Sequence, residues 1–243
     1  MDGNTMDVPV PAAPVDVQVG AGAAMEEAAR QLHEEMASQT GSWGRWLLLF
    51  GVINLVASSF LSAPYGILLL VVGLASFVFR EMSMFVIYGV TLGWAALSNA
   101  LSAEAGWIIF ALFQVYLAFN IFRRFFHYRR EMETYADTEV MSSPSRQRAA
   151  RIFPWAGFIL GGAALSGVVL LVIGMFALAI VSVGEDLPGY FVFVAGLVVD
   201  VAILGTAVCL ASLLSRYKNK IPAILGLVGS LLVLVLWLVL ALF

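Results

Sequence analysis

Two histidines, His33 and His127, and a single cysteine, Cys209, are all that this 243-residue chain offers to a metal or redox centre. Both histidines lie outside its apolar stretches. Haem and most zinc sites within membrane helices need imidazole or thiolate ligands at depth, and serine hydrolysis by the usual route needs a histidine beside the serine. His33-Glu34 begins like a zinc-protease motif, but position 37 is Ala37, so the second histidine is missing. One cysteine excludes any disulfide framework within the chain. No glycine-rich loop ends in Lys-Ser or Lys-Thr, which leaves nucleotide binding without support. The expectation is a non-enzymatic protein with no catalytic residue, no cofactor and no metal.

Charge is scarce as well. Only 12% of residues are charged and 61% are hydrophobic, with a mean hydropathy of +0.94. Soluble domains carry about 25% charged residues. This pattern predicts an all-α membrane protein, located in the inner or plasma membrane if the source is prokaryotic. The first forty residues lack a basic segment leading into a short apolar core, so no signal peptide is expected.

The chain divides by composition. Residues 1–42 read as an acidic tail, disordered over 1–23, where Pro9, Pro11 and Pro14 interrupt a sequence without apolar periodicity. Over 24–37, Met25, Ala28, Ala29, Leu32 and Met36 recur at helical spacing opposite Glu26, Glu27, Glu34 and Glu35, predicting a short amphipathic helix. Thr40-Gly41-Ser42-Gly44 should break it. A lone helix of that length is marginal in water, so the tail should be dispensable for folding. Apolar spans are predicted at 45–61, 65–79, 82–101, 106–122, 153–183, 190–214 and 221–243. Crossing the hydrocarbon takes about 20 residues, so the second span is short and the fifth long enough to tilt or bend near Gly161-Gly162 and Gly167. Residues 45–122 form a four-helix unit, 123–152 an arginine-rich loop and 153–243 a three-helix unit.

Basic residues orient the spans. With the N-terminus cytoplasmic, the inside segments hold Arg30 and Arg45, then Arg80, then the seven arginines of 123–152, then Arg216, Lys218 and Lys220; these are all thirteen Lys and Arg residues. The outside loops hold only Glu104, Glu185 and Asp186. Cytoplasmic loops collect Lys and Arg, so this partition predicts seven transmembrane helices with the N-terminus cytoplasmic and the C-terminus outside. A re-entrant hairpin at 45–79 would give the same partition. Trp43, Trp46, Trp155, Tyr128 and Tyr217 fall at the inner interface, and Tyr65, Trp107 and Tyr190 at the outer one. Trp94 and Trp237 lie deeper, as packing residues.

The first half suggests a duplicated hairpin. Phe50-Gly51-Val52 matches Tyr88-Gly89-Val90, Phe60-Leu61-Ser62-Ala63 matches Ala100-Leu101-Ser102-Ala103, and Gly66 matches Gly106. Small-residue motifs at Gly89/Gly93, Gly157/Gly161 and Gly162/Ser166 allow close helix approach, more often within one chain than between chains.

Two constellations could carry function. Asp200 lies ten residues after Tyr190, or ~15 Å deep at 1.5 Å per residue, where an ionised carboxylate costs ~2.5–3.5 kcal/mol on insertion scales. Gln114 and Asn54 fall near the same depth, giving a candidate midplane polar site of Asp200, Gln114 and Asn54. It reads either as a proton- or cation-responsive site or, the favoured reading, as hydrogen-bonded glue between helices. The second constellation is Arg123, Arg124, Arg129 and Arg130, interleaved with Phe125 and Phe126. It suits contact with anionic lipid headgroups better than nucleic acid, and its simplest role is a topogenic stop. A helix continuing from the fourth span would pair Arg129 with Glu133. The functional expectation is a structural or accessory subunit of a membrane assembly, meeting the bilayer and protein partners in the membrane. The alternative is a small-solute or proton-coupled transporter centred on Asp200.

Overall fold

The computed structural model describes residues 15–57, 63–101, 105–135, 144–181, 189–215, 217 and 220–242. They form seven α-helices and, among the described residues, no strand: α1 (Val15–Ala57), α2 (Ala63–Ala75), α3 (Ser83–Leu101), α4 (Ala105–Thr134), α5 (Pro144–Val181), α6 (Gly189–Leu214) and α7 (Ile221–Leu242). Five of them, α3 to α7, are long and apolar enough to cross a membrane. The apolar part of α1 is shorter, and α2 has only 13 residues. Five such helices mark an integral membrane protein.

α3 is the central helix. Its face from Ser83 to Ala96 is almost wholly buried, with α4 on one side and α2 and α6 on the other. α4, α5 and α7 lie at the periphery and turn Phe119, Leu170, Ile173, Phe176 and Leu238 outward. Aliphatic surface costs nothing against lipid tails, so such faces are stable only in a bilayer or under a partner.

The N-terminal region differs from the sequence expectation. α1 starts at Val15, directly after Pro14, so residues 15–23 are helical rather than disordered, and it runs without interruption through Thr40-Gly41-Ser42-Gly44. Thr40 Oγ1 donates to the Met36 carbonyl at 2.6 Å, and Tyr88 OH donates to the Thr40 carbonyl at 3.2 Å. A side chain at Gly44 would overlap Ser76 of the α2 end, and one at Gly51 would overlap Leu70 and press on Gly66. These glycines admit α2 rather than end α1, and tertiary contact outweighs the ~1 kcal/mol helical penalty of each glycine. Residues 1–14 lie outside the described residues.

The amphipathic stretch is not a free tail either. Ala29 is buried, and Leu32 and Met36 belong to one buried cluster with Phe125 and Tyr128 of α4, Ala149 and Phe153 of α5, and Tyr217. α4 does continue beyond its apolar span, as the sequence implied, and this overhang receives the α1 helix. Arg129 Nε stands 3.6 Å from Glu133 Oε1. Tyr128 and Tyr217, expected at the inner interface, and Tyr65, expected at the outer one, are buried within the fold, and each hydroxyl has a partner there.

Of the small-residue motifs, Gly157/Gly161 packs within the chain as expected. A side chain at Gly157 would overlap Cys209 of α6, and one at Gly161 would overlap Gly226 of α7. Gly93 and Gly162 face open space. In the suspected repeat, Gly51 and Gly89 each face the second helix of their own hairpin, but Gly106 touches nothing comparable to the neighbours of Gly66. The matched residues 60–62 and 102–103 lie outside the described residues.

Candidate functional site

The three residues expected at the midplane are all buried, yet among the described residues no hydrogen bond joins any two of them. Asn54 Nδ2 turns back to its own helix, donating to the Phe50 carbonyl at 2.7 Å. Gln114 Oε1 accepts from Asn99 Nδ2 at 2.8 Å, and Asn99 Oδ1 accepts from Tyr65 OH at 3.0 Å. This chain of polar groups ties α2, α3 and α4 together. Asp200 points from α6 to α3, where Trp94 Nε1 donates to its Oδ1 at 2.8 Å.

The separation follows from which helix meets which. α6 meets α3 and α2, whereas Gln114 lies on α4 on the far side of α3. Equal depth along the membrane normal does not bring together groups on opposite sides of a central helix.

Asn99 and Trp94 were the partners missed. Asn99 stands two residues from the end of α3 and reads as a terminal residue. Side chains lean toward the N-terminus of their own helix, however, so in an antiparallel pair Asn99 leans inward and Gln114 outward, and the two meet. That rule was the available signal. Trp94 was read as packing; its indole N–H is a donor that needs a partner when buried.

Several polar atoms have no hydrogen-bond partner among the described residues: Asp200 Oδ2, Gln114 Nε2, Asn54 Oδ1, and the hydroxyls of Ser212 and Ser230. Asp200 is 5% exposed. Beside it, α5, α6 and α7 border an open cavity of about 300 Å³ lined by apolar side chains that include Met175, Phe191, Val199 and Trp237. Asp200 is not among its lining residues, because it points to α3 from the other face of α6.

The cytoplasmic end predicted from charge holds a second polar assembly. Tyr128 OH donates to Glu35 Oε1 at 2.9 Å, joining the α4 overhang to the acidic face of α1. Tyr217 OH donates to Ser83 Oγ at 3.1 Å. Burial, with the Glu81 carboxylate adding to it, pushes the Tyr217 hydroxyl up to about 12, so it stays neutral and can keep donating. The α1 helix and the arginine-rich region are therefore in part partners of each other.

The four arginines expected at lipid headgroups separate into different settings. Arg129 pairs with Glu133. Arg124 lies beside the Tyr128 hydroxyl. Arg123 and Arg130 are exposed. Arg123 and Arg124 form a groove of about 320 Å³ with Asn120 and His127, while Arg129 and Arg130 do not enter it. Among the described residues, no group of three or more His, Cys, Asp or Glu side chains could hold a metal ion. Compared with known proteins, the chain matches no family model, no curated sequence and no solved structure.

Proposed function

We propose that this chain is a non-enzymatic structural or accessory subunit of a membrane assembly, crossing the bilayer seven times with its N-terminus and all its basic segments in the cytoplasm. The observation that carries the reading is the state of the midplane carboxylate. Asp200 is buried, held by Trp94 across the α3–α6 contact, and outside the wall of the neighbouring apolar cavity. A carboxyl group engaged in this way joins helices. The arginine-rich end rests on anionic headgroups, and the peripheral faces of α4, α5 and α7 meet lipid or a partner helix.

Purification in mild detergent tests the role: a stoichiometric membrane partner is the expected result, and a lone active chain would count against it. Thiol labelling tests the topology. In a Cys209→Ala background, Glu185→Cys should react with an impermeant reagent from outside and Ser143→Cys should not.

One observation favours a second reading, a small-solute or proton-coupled transporter: the second carboxyl oxygen of Asp200 has no partner. Proton flux in proteoliposomes separates the two. Equal flux for the wild type and Asp200→Asn removes Asp200 from any mechanism, whereas loss of flux with unchanged stability favours transport, since an amide cannot release a proton.

A further inference from the structure

The groove on α4 brings four residues with hydrogen-bonding side chains to one helix face: Asn120, Arg123, Arg124 and His127 follow one another at i, i+3, i+4 and i+7. Its depth is set by the helix. Counted from Gly106, it runs from ~21 to ~32 Å along the axis at 1.5 Å per residue, which straddles the edge of a ~30 Å hydrocarbon core. Beside it Phe119 and Phe126 are 69% and 57% exposed. Each polar group has a defined setting. Asn120 Nδ2 donates to the Tyr116 carbonyl at 2.9 Å, which fixes the amide. Glu131 lies 3.3 Å from His127 Nε2, on the cytoplasmic side of the groove. Arg123 has no ion pair among the described residues.

We propose that this groove seats the phosphate-bearing headgroup of one anionic lipid, with its acyl chains lying outward along Phe119 and Tyr116. The proposal rests on the reading above that this end of α4 meets the membrane surface, and it names the ligand class and the residues. A guanidinium presents a planar fork that matches two phosphate oxygens, and Arg123, with Arg124 beside it next to the Tyr128 hydroxyl, favours a net-anionic headgroup over a zwitterionic one whose phosphate is offset by its own ammonium. The volume is many times the ~30 Å³ share of one water, enough for a phosphate and part of a glycerol backbone. A soluble phosphate ester offers the same charge but has no use for exposed phenylalanines at this depth, so the lipid is the source. Another groove with an arginine, at Ser42, Arg45, Trp46 and Leu49, presents a single cation.

The test uses the full chain in phosphatidylcholine bilayers doped with chain-labelled phosphatidic acid or phosphatidylcholine, reading the protein-associated fraction by electron spin resonance. The wild type should retain phosphatidic acid preferentially. Arg123→Gln should lower that preference roughly fivefold, the equivalent of about 1 kcal/mol per basic residue. Arg123→Lys should restore part of it, through charge without the fork. Arg130→Gln, outside the groove, should leave it unchanged. His127→Glu alters an exposed side chain and serves if Arg123→Gln fails to fold; it should also abolish the preference. No preference in the wild type, or equal losses in Arg123→Gln and Arg130→Gln, overturns the seat in favour of diffuse surface charge. Displacement by millimolar inorganic phosphate overturns the lipid assignment in favour of a soluble ester. Nitroxide depth measurements at Phe119→Cys and His127→Cys report separately whether α4 crosses the boundary there. A correct depth without selectivity therefore sinks the seat alone.

Discussion

Apart from the α1–α2 seam, helices α1 to α4 meet through large side chains, whereas α5 to α7 meet through missing ones. In the first unit, Tyr65, Tyr88 and Tyr128 each reach a partner on another helix, Asn99 links to Gln114, and Phe85 stacks on Tyr128 with ring centroids 5.7 Å apart. In the second, Gly161 and Gly226 bring α5 against α7, Gly157 admits Cys209 of α6, and Gly205 accommodates Ser230. Described hydrogen bonds between side chains on different helices all involve the first unit or the α3–α6 seam. The α1–α2 seam shares the glycine device, at Gly44, Gly51, Gly66 and Gly73. The lesson concerns specificity: backbone contact fixes distance, while hydrogen bonds between side chains fix which helices pair.

The sharpest way to break this comparison is to fill the α5–α7 contact. A side chain at Gly226 would meet the Gly157 carbonyl and the Phe158 amide nitrogen, both backbone atoms that cannot swing aside. Gly226→Leu should cost at least about 3 kcal/mol, at the upper end of overpacking. Gly162→Leu, facing open space, should cost little. Thermal unfolding in detergent measures both, and equal effects would mean that α5 and α7 are not held by close approach.

Next is the cap that α1 lays over the α4 overhang. Met36 is fully buried, and Met36→Ala should destabilise by about 2–3 kcal/mol, the lower part of the range for buried methionine. Deletion of residues 1–40 should do more. A truncated chain as stable as the full one would restore the dispensable tail expected from the sequence.

How much of this was legible depended on which contacts leave a periodic trace. Apolar runs and arginine placement gave all seven helices, because hydropathy over a long window is a property of a segment by itself. The α4 overhang and the Arg129–Glu133 pair were legible for the same reason. Docking of α1 was not. Its apolar stripe was visible, but a stripe says only that something covers it, and the cover comes from residues about a hundred positions away. The glycines of the α1–α2 seam recur every seven residues and escape a four-residue template. The midplane grouping was lost for a different reason: Asp200, Gln114 and Asn54 are each buried, but rotation about each helix axis, which decides the partner, has weak periodicity when a helix is apolar all round.

A smaller effect is expected within the first unit's polar chain. Asn99→Leu removes the link between Tyr65 and Gln114. Measured interhelical hydrogen bonds average about 0.6 kcal/mol and reach about 1.7. The loss should fall in that range and should be non-additive with Gln114→Leu, since both break one bond. A double-mutant cycle in detergent measures this, and strict additivity would mean the two amides act independently.

The smallest effect is a pH dependence confined to the cap. His33 is half-buried on α1, and burial lowers its pKa below the ordinary 6.5; nearby Glu34 opposes this shift and Arg146 adds to it. The sign follows from proton linkage. With the folded value depressed, the unfolded chain binds the proton first as pH falls, so the contribution of neutral His33 is fully present above about 6.5 and is lost progressively below it. Arg146 stands on α5, so protonation of His33 sets two cations against each other. His33→Gln should flatten the stability curve between neutral pH and pH 5, leaving the wild type and variant alike above pH 7. His127→Gln provides the control, because its exposed ring lies on the α4 overhang beside Glu131 rather than against α5. Detergent unfolding at stepped pH reads the difference. A wild-type stability that rises as pH falls, and does so through His33, would mean that Glu34 rather than burial governs the site.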